Sequence, residues 1–124
     1  MAIHKSDQLS QRIRDVIEAD WSVRPDRPWP DQPRYEVFRH QLSGKWFGVM
    51  MVIAGDKIGL AGPDPAAILN LKGDPLQIRF LLCQPGFRPA WHMNKKHWFT
   101  VLLDGTVGIE PIRELIRISH GLTE

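Results

Sequence analysis

The strongly apolar run Lys45–Ile53 (KWFGVMMVI) constrains the fold of this chain more than any other segment. It follows the pair Ser43-Gly44, and residues on the other side of that pair alternate with a period of two, as at Tyr35 and Val37. Two such runs joined by Ser-Gly predict a β-hairpin. We therefore expect an antiparallel sheet that contains this run as a long strand.

The segment before the hairpin divides into a helix and a stiff connector. A helix is predicted over about residues 6–20, capped by Ser6, because its apolar residues follow the spacing i, i+4, i+7, i+8: Leu9, Ile13, Val16 and Ile17. The sequence RPDRPWPDQPR then predicts an extended connector over residues 24–34, since proline denies both helical and ladder hydrogen bonds. Trp21 and Trp29 are expected to hold it against the body.

The remaining elements alternate between strands and helices. Ala67–Lys72 suits either by composition, and its alternation favours a strand. Asp74-Pro75 predicts the start of a helix that runs to about Cys83. A strand Phe87–Met93, a turn at Asn94–Lys96 and a strand His97–Leu103 follow. The last helix begins near Glu110-Pro111, ends before Gly121, and has one apolar face: Ile112, Leu115, Ile116 and Ser119.

This order predicts an α+β protein, in which an antiparallel sheet carries helices packed on one face. The chain of 124 residues is expected to be a single domain, 1–124, with its sheet and helices over 35–122. Cys83 stands alone, which excludes an internal disulfide, and its apolar surroundings (FLLCQ) predict a buried side chain. No apolar run approaches the roughly 20 residues needed to cross a bilayer, and the N-terminal residues lack the apolar region of a signal peptide, so we expect a cytoplasmic monomer without a membrane partner.

The excess of positive charge is concentrated in one segment of the chain. Residues 75–103 contain four basic side chains and no acidic one: Arg79, Arg88, Lys95 and Lys96. Most of this region is the block Gly86–Gly105 (GFRPAWHMNKKHWFTVLLDG), which is rich in tryptophan and histidine. A local positive field of this kind attracts anionic partners even where the net charge is only +2.

If Asn94-Lys95 form the turn of a hairpin, His92 lies opposite His97 and Trp91 opposite Trp98. Such a ribbon, with a cationic tip and aromatic flanks, suits a nucleic-acid groove or phosphate backbone. The candidate nucleic-acid-binding residues are Arg88, Trp91, His92, Asn94, Lys95 and Lys96, with Lys45 and Lys72 extending the patch. The alternative is that Trp98–Leu103 is core and the lysines only keep the tip soluble.

Other chemistries have less support in the sequence. His92 and His97 resemble a pair of metal ligands, with His40 or Asp104 as a third, but neither HExxH nor a Cys/His spacing is present. Nucleophile, phosphate-loop and dinucleotide motifs are also absent from the sequence. We therefore expect no metal, no cofactor and no enzymatic activity.

Four segments resemble the MmcQ/YjbR family of small bacterial proteins. They are VFRH…GKWFG at the start of the sheet, NLKGDP at Asn70–Pro75, the PG…PAWHMNKKHWFTVLLDG block, and LIRISHGL near the C-terminal end. The pattern HMNK-x-HW at His92–Trp98 is the most specific of them. The resemblance covers about Tyr35 to Leu122.

This resemblance implies a CyaY-like fold with a double-wing arrangement, and it implies DNA as a partner. CyaY-like folds include iron-binding proteins with acidic surfaces, whereas the distinctive surface predicted here is basic. Two other functions stay open: a protein-interaction or adaptor module that uses the same hairpin, and a small-ligand site in a cleft lined by His and Trp. A continuous face of Lys45, Lys72, Lys95 and Lys96 would favour nucleic acid, and scattered lysines would favour the adaptor.

Overall fold

The computed structural model describes residues 5–124, with side chains described from Asp7 onward. Five strands form one antiparallel sheet in the order β1-β2-β3-β5-β4, as an α+β fold requires. In chain order the elements are α1 (Lys5–Trp21), β1 (Glu36–Arg39), β2 (Trp46–Ala54), a 3₁₀ turn (Gly55–Ile58), β3 (Pro65–Lys72), α2 (Pro75–Leu81), β4 (Phe87–Pro89), β5 (Trp98–Leu102) and α3 (Ile109–Leu122).

The predicted apolar hairpin is the start of this sheet. β1 pairs with β2 around the predicted turn, and β2 pairs with β3 along almost its whole length, from Gly48↔Leu71 to Ala54↔Pro65. Side chains along a strand alternate between the two faces of the sheet. The three central strands β2, β3 and β5 bury apolar residues on both faces, so both faces need a cover.

All three helices contribute to the larger core, which lies on one face of the sheet. From α1, Leu9, Ile13 and Ile17 are buried there, and α3 buries the four residues of its predicted face. Ser119 of α3 is fully buried, and its hydroxyl donates to the Phe47 carbonyl at 2.6 Å while it accepts from the Lys72 amide at 2.9 Å. This hydroxyl joins α3 to the edges of two strands.

The second face is covered by irregular segments. In the connector before β1, the centre of the Trp29 ring lies 5.8 Å from that of Trp46 and 6.1 Å from that of Tyr35, and both contacts are edge to face. Asp26 pairs with Val37 of β1 through two backbone hydrogen bonds of 2.9 and 3.0 Å. The connector is therefore held against the body, as predicted for Trp29, while Trp21 packs on the helix side beside Phe47.

A buried polar pair fastens the loop between β4 and β5 to the second face. Asn70 and Thr100 are both fully buried on neighbouring strands, and the Thr100 hydroxyl donates to the Asn70 side-chain oxygen. The Asn70 amide donates to the Trp91 carbonyl at 2.9 Å, and the Trp91 amide donates to Thr100 Oγ1 at 3.1 Å. The Asn70 and Thr100 side-chain oxygens and the Trp91 backbone amide and carbonyl therefore all have partners, whereas the buried indole nitrogen of Trp91 has none among the described residues.

Several local predictions are confirmed and others are wrong. Asp74 caps α2, because its carboxylate accepts from the amides of Leu76 and Gln77. Cys83 is exposed rather than buried, since α2 ends at Leu81 and Cys83 lies in the turn that follows. Gly121 lies inside α3 rather than after it.

Ser6 is predicted to cap α1, but its side chain lies outside the residues whose side chains the structure describes. Across residues 5–124, none of the helices combines the length and the apolar character needed to cross a bilayer.

We expect Thr100→Val to lower the free energy of unfolding by about 1–3 kcal/mol, because it leaves the Asn70 oxygen and the Trp91 amide without partners in a buried place. Urea denaturation measures this difference. Thr106→Val, at an exposed position, is the matched control and should change stability by less than about 0.5 kcal/mol. Equal stability of the two variants would contradict the role assigned to the Asn70–Thr100 pair.

Candidate nucleic-acid interface

The predicted two-stranded wing does not form as expected. β4 has only three residues, and it pairs with β5 as Phe87↔Val101, Arg88↔Thr100 and Pro89↔Phe99. The residues between Pro89 and Trp98 form a loop, so the predicted pairing of His92 with His97 and of Trp91 with Trp98 is wrong. The prediction failed because the loop is bonded to Asn70, a residue far away in the chain.

The backbone within this loop explains why the ladder stops. Pro89 has no amide hydrogen to continue the pairing. His92 adopts a left-handed backbone conformation with φ of 56°, which a regular strand does not contain. The turn predicted at Asn94–Lys96 is present, and there the Asn94 carbonyl accepts from the Trp98 amide at 2.9 Å while its side chain accepts from the Lys96 amide at 2.8 Å.

Two of the candidate residues, Arg88 and Trp91, are engaged with the protein body, whereas His92 is exposed. Arg88 is half-buried, and its guanidinium donates to the carbonyls of Ile58 and Phe87 at 3.2 and 2.9 Å. Trp91 packs against the apolar cluster of the second face. The His92 ring lies 4.3 Å from the Trp91 ring. Arg88 and Trp91 therefore support the fold at this position.

Two other candidates come together with two tryptophans. Lys45 precedes β2, and Lys72 ends β3 opposite Trp98 of β5, so all three lie at the same end of the sheet. Together with Trp46, these side chains line a cavity of about 440 Å³, whose remaining wall is the end of α3, Leu122–Glu124. We call this the lysine–tryptophan cleft.

The turn that carries Lys95 and Lys96 lies beside the cleft. The Gly73 amide, next to Lys72, donates to the His97 carbonyl at 3.0 Å, which fixes the turn against the end of β3. Both lysines are exposed. Among the side chains from Asp7 to Glu124, no ion pair involves the two lysines of the turn or the two of the cleft, Lys45 and Lys72. Their charges therefore face solvent around one end of the sheet.

The two tryptophan rings of the cleft differ in their contacts with other side chains of the protein. Trp46 belongs to the second-face cluster and has the Arg39 guanidinium 5.4 Å from its ring centre. Trp98 is half-buried and belongs to neither apolar cluster. The alternative interpretation that Trp98 is core is wrong, because its ring lies at the start of β5, outside the second-face cluster that buries Leu102 further along the strand.

The end of α3 separates this cleft from a second cavity. That cavity, of about 380 Å³, is lined by Trp21, His40 and His120 among others, and Glu124 borders both cavities. The His120 ring stacks on Trp21 at 4.3 Å and lies 4.1 Å from the His40 ring. His40 Nε2 is 2.8 Å from the Thr123 hydroxyl. A cavity lined by His and Trp side chains is therefore present, and these side chains come from distant parts of the chain.

Burial, reinforced by the nearby His40, lowers the pKa of His120, against the opposing pull of Glu124 3.5 Å away. The sequence did not predict this cluster, because its three rings come from positions 21, 40 and 120. The only available signal was the LIRISHGL segment that contains His120.

The structure does not place His40 beside His97, one of the two histidines considered as metal ligands from the sequence. His40 contacts His120 and Thr123, whereas His97 lies in the lysine turn. Within the part of the chain that the structure describes, no group of three or more His, Cys, Asp or Glu side chains is arranged to hold a metal ion.

A model of the YjbR family matches residues 22–122. The chain belongs to the YjbR family. Its relatives include the uncharacterized protein YyaQ of Bacillus subtilis (strain 168), 34% identical over 108 residues that cover 87% of this chain and 92% of YyaQ. The uncharacterized protein YbdF of Escherichia coli O157:H7 is 33% identical over 97 residues, 76% of this chain and 68% of YbdF.

Solved structures of two other bacterial proteins share this fold. A crystal structure of a Pseudomonas syringae protein superposes with a TM-score of 0.89 at 40% identity, covering 92% of this chain and 97% of that one. The Deinococcus radiodurans protein DR2400 superposes with a TM-score of 0.63 at 30% identity, covering 87% and 75%. These likenesses confirm the predicted family and fold class.

We expect acidification from about pH 7.5 to about pH 5 to destabilise the protein through His120. Its folded-state pKa lies below the ordinary value of 6.5, so the unfolded chain binds the proton first as the pH falls through that value. Stability is thus retained above the unfolded pKa and lost on the way down to the folded pKa. Urea denaturation at both pH values measures the loss.

His120→Phe is the matched variant, since it keeps a ring against Trp21 but has no proton to bind. Its free energy of unfolding should depend less on pH over this interval. The same pH dependence in the variant and the parent would contradict the assignment to His120.

Proposed function

We propose that this YjbR-family protein binds nucleic acid, with DNA as the expected form, at the lysine–tryptophan cleft. The observation that supports this most directly is the position of Trp98 beside Lys72, at the border of a cavity of about 440 Å³ that Lys45 also lines. The proposal concerns binding and contains no catalytic step. It replaces the ribbon-shaped wing expected from the sequence, because β4 is too short to form one.

The lysines suit the phosphate backbone. Lys45 and Lys72 lie in the cleft, and Lys95 and Lys96 lie on the adjoining turn, so a strand that crosses this end of the sheet passes four unpaired ammonium groups. Glu124 is the acidic side chain that borders the cleft. Phosphate contacts of this kind provide affinity that depends strongly on salt but carries little sequence information.

Trp98 suits an unpaired base. It is half-buried, lies outside both apolar clusters and has no aromatic partner among the described rings. Stacking of a base on such a ring contributes about 1–3 kcal/mol and tolerates any base. Because the bases of a duplex already stack on one another, this arrangement favours single-stranded DNA over duplex.

We expect the protein to bind a short single-stranded oligonucleotide. On a plot of the logarithm of the affinity against the logarithm of the salt concentration, the affinity should fall with a slope of about 3, because each of the four lysines contributes about 0.7. Lys95→Gln combined with Lys96→Gln should reduce that slope by about 1.4 and weaken binding at low salt. Fluorescence anisotropy over a range of salt concentrations measures both quantities.

The matched control removes two positive charges elsewhere, as Lys57→Gln with Arg12→Gln. Lys57 lies beside the Trp91 ring at 5.8 Å, and Arg12 is exposed on α1. The control should keep most of the parent's slope. If the parent shows no affinity at low salt, or if both double variants lose the same amount, the proposed function is wrong.

We expect Trp98→Leu to weaken single-strand binding about 5- to 150-fold, the equivalent of one stacked base. Trp98→Phe keeps an aromatic face and should recover most of the affinity. Thermal melting of both variants checks that the half-buried side chain has been replaced without unfolding. Equal affinities for Trp98→Leu and Trp98→Phe would show that no base stacks here.

One observation favours the other candidate, a protein-interaction module. Two large apolar side chains of the short helix α2 are mostly exposed, Leu76 at 61% and Phe80 at 67%. Exposed apolar groups of this size suit contact with another protein better than contact with nucleic acid. Such a role would use α2 rather than the hairpin considered from the sequence.

A further inference from the structure

A second charged cavity lies on the helix side of the sheet, where α1, the connector and β1 meet. It has a volume of about 370 Å³ and is lined by the charged side chains Asp7, Arg14, Arg27, Arg34 and Glu36. We call it the arginine cavity. Three positive charges against two negative charges leave a net charge of +1. It shares no lining residue with the lysine–tryptophan cleft.

The Arg14–Glu36 pair forms the fixed part of this cavity. Glu36 is only 4% exposed, and both of its oxygens accept from Arg14, from Nε at 2.8 Å and from Nη2 at 2.5 Å. Arg14 Nη1 donates to Gln11 at 3.1 Å. The Glu36 carboxylate, through its hydrogen bond, raises the pKa of Arg14, so the guanidinium stays charged. A buried pair of this kind is weak evidence for stability but sets geometry well.

The other two arginines have unused donors. Arg27 Nη2 is 3.7 Å from Glu36 Oε1, and Arg34 Nη2 is 3.8 Å from Asp7 Oδ1. Both distances exceed the length of a hydrogen bond. Neither Arg27 nor Arg34 donates a side-chain hydrogen bond to any described residue. Glu36, the carboxylate near Arg27, is already occupied by Arg14.

The floor of the cavity is apolar. Met50 and Val52 of β2 and Ala67 of β3 line it from the sheet, beneath the charged rim. Planar guanidinium groups bind carboxylate and phosphate through two parallel hydrogen bonds, and Arg suits such sites better than Lys. The cavity volume of about 370 Å³ lies within the range of pockets that bind small molecules.

We propose that the arginine cavity binds a small organic anion, with its carboxylate or phosphate group on Arg27 and Arg34 and its short apolar part over Met50, Val52 and Ala67. Arg14 binds both oxygens of Glu36 and thereby offsets the negative charge that would repel the anion. The site is independent of the nucleic-acid proposal, since it uses other residues on the other face of the sheet.

Amide chemical shifts of the ¹⁵N-labelled protein test this proposal. Four probes separate the anionic group from the apolar part: inorganic phosphate, phenyl phosphate, acetate and hexanoate. We expect phenyl phosphate or hexanoate to give saturable shifts at residues 7–14 and 27–36 with a Kd below about 1 mM, at least tenfold tighter than the matching simple anion. No saturable shift with any probe at about 10 mM would overturn the proposal.

Arg27→Gln with Arg34→Gln should weaken binding of the best probe at least tenfold. Both side chains are 61% exposed, so the variant should fold, and its melting temperature checks this. Arg12→Gln with Arg24→Gln removes the same charge from exposed positions outside the cavity and should bind as the parent does. Equal loss in both variants, shifts confined to the lysine–tryptophan cleft, or simple anions that bind as tightly as the larger ones would each overturn the assignment.

Discussion

The burial of both faces of the central strands is the constraint on which the rest of this structure depends. β2, β3 and β5 carry apolar side chains in both directions, and three helices cover only one of the two faces. The proline-rich connector, through Trp29, and the β4–β5 loop, through Trp91, cover the other face. Their cover is incomplete at the end of the sheet where Lys72 and Trp98 lie, and that opening is the lysine–tryptophan cleft.

The position of the last helix follows from the same sheet. The Ser119 hydroxyl bonds Phe47 of β2 and Lys72 of β3, which places the residues after it across the ends of those strands. Leu122–Glu124 thereby form a wall of the lysine–tryptophan cleft, and Glu124 also borders the cavity lined by Trp21, His40 and His120. A buried hydroxyl with both hydrogen-bonding roles filled joins helix to sheet without the cost of an unpaired polar group.

Local patterns in the sequence were sufficient for most elements. The period of two around Ser43-Gly44, the Asp74-Pro75 start and the apolar face of α3 predicted elements that the structure confirms. The β4–β5 loop, the exposure of Trp98 and the histidine cluster could not be predicted, because each depends on contacts between distant parts of the chain. Asn70 holds Trp91, and a one-residue difference in register decides whether a strand residue faces the core or the cleft. The arginine cavity likewise joins α1, the connector and β1.

The backbone pairing of Asp26 with Val37 also governs how copies of the chain can meet. A five-stranded open sheet has two edges, and an edge with free amides and carbonyls recruits strands from other molecules. Here the connector occupies the outward-facing amide and carbonyl of Val37 on one edge, and the opposite edge is three residues long and ends in proline. Both edges are therefore poor templates for strand addition, which disfavours association of copies of the chain through their sheets.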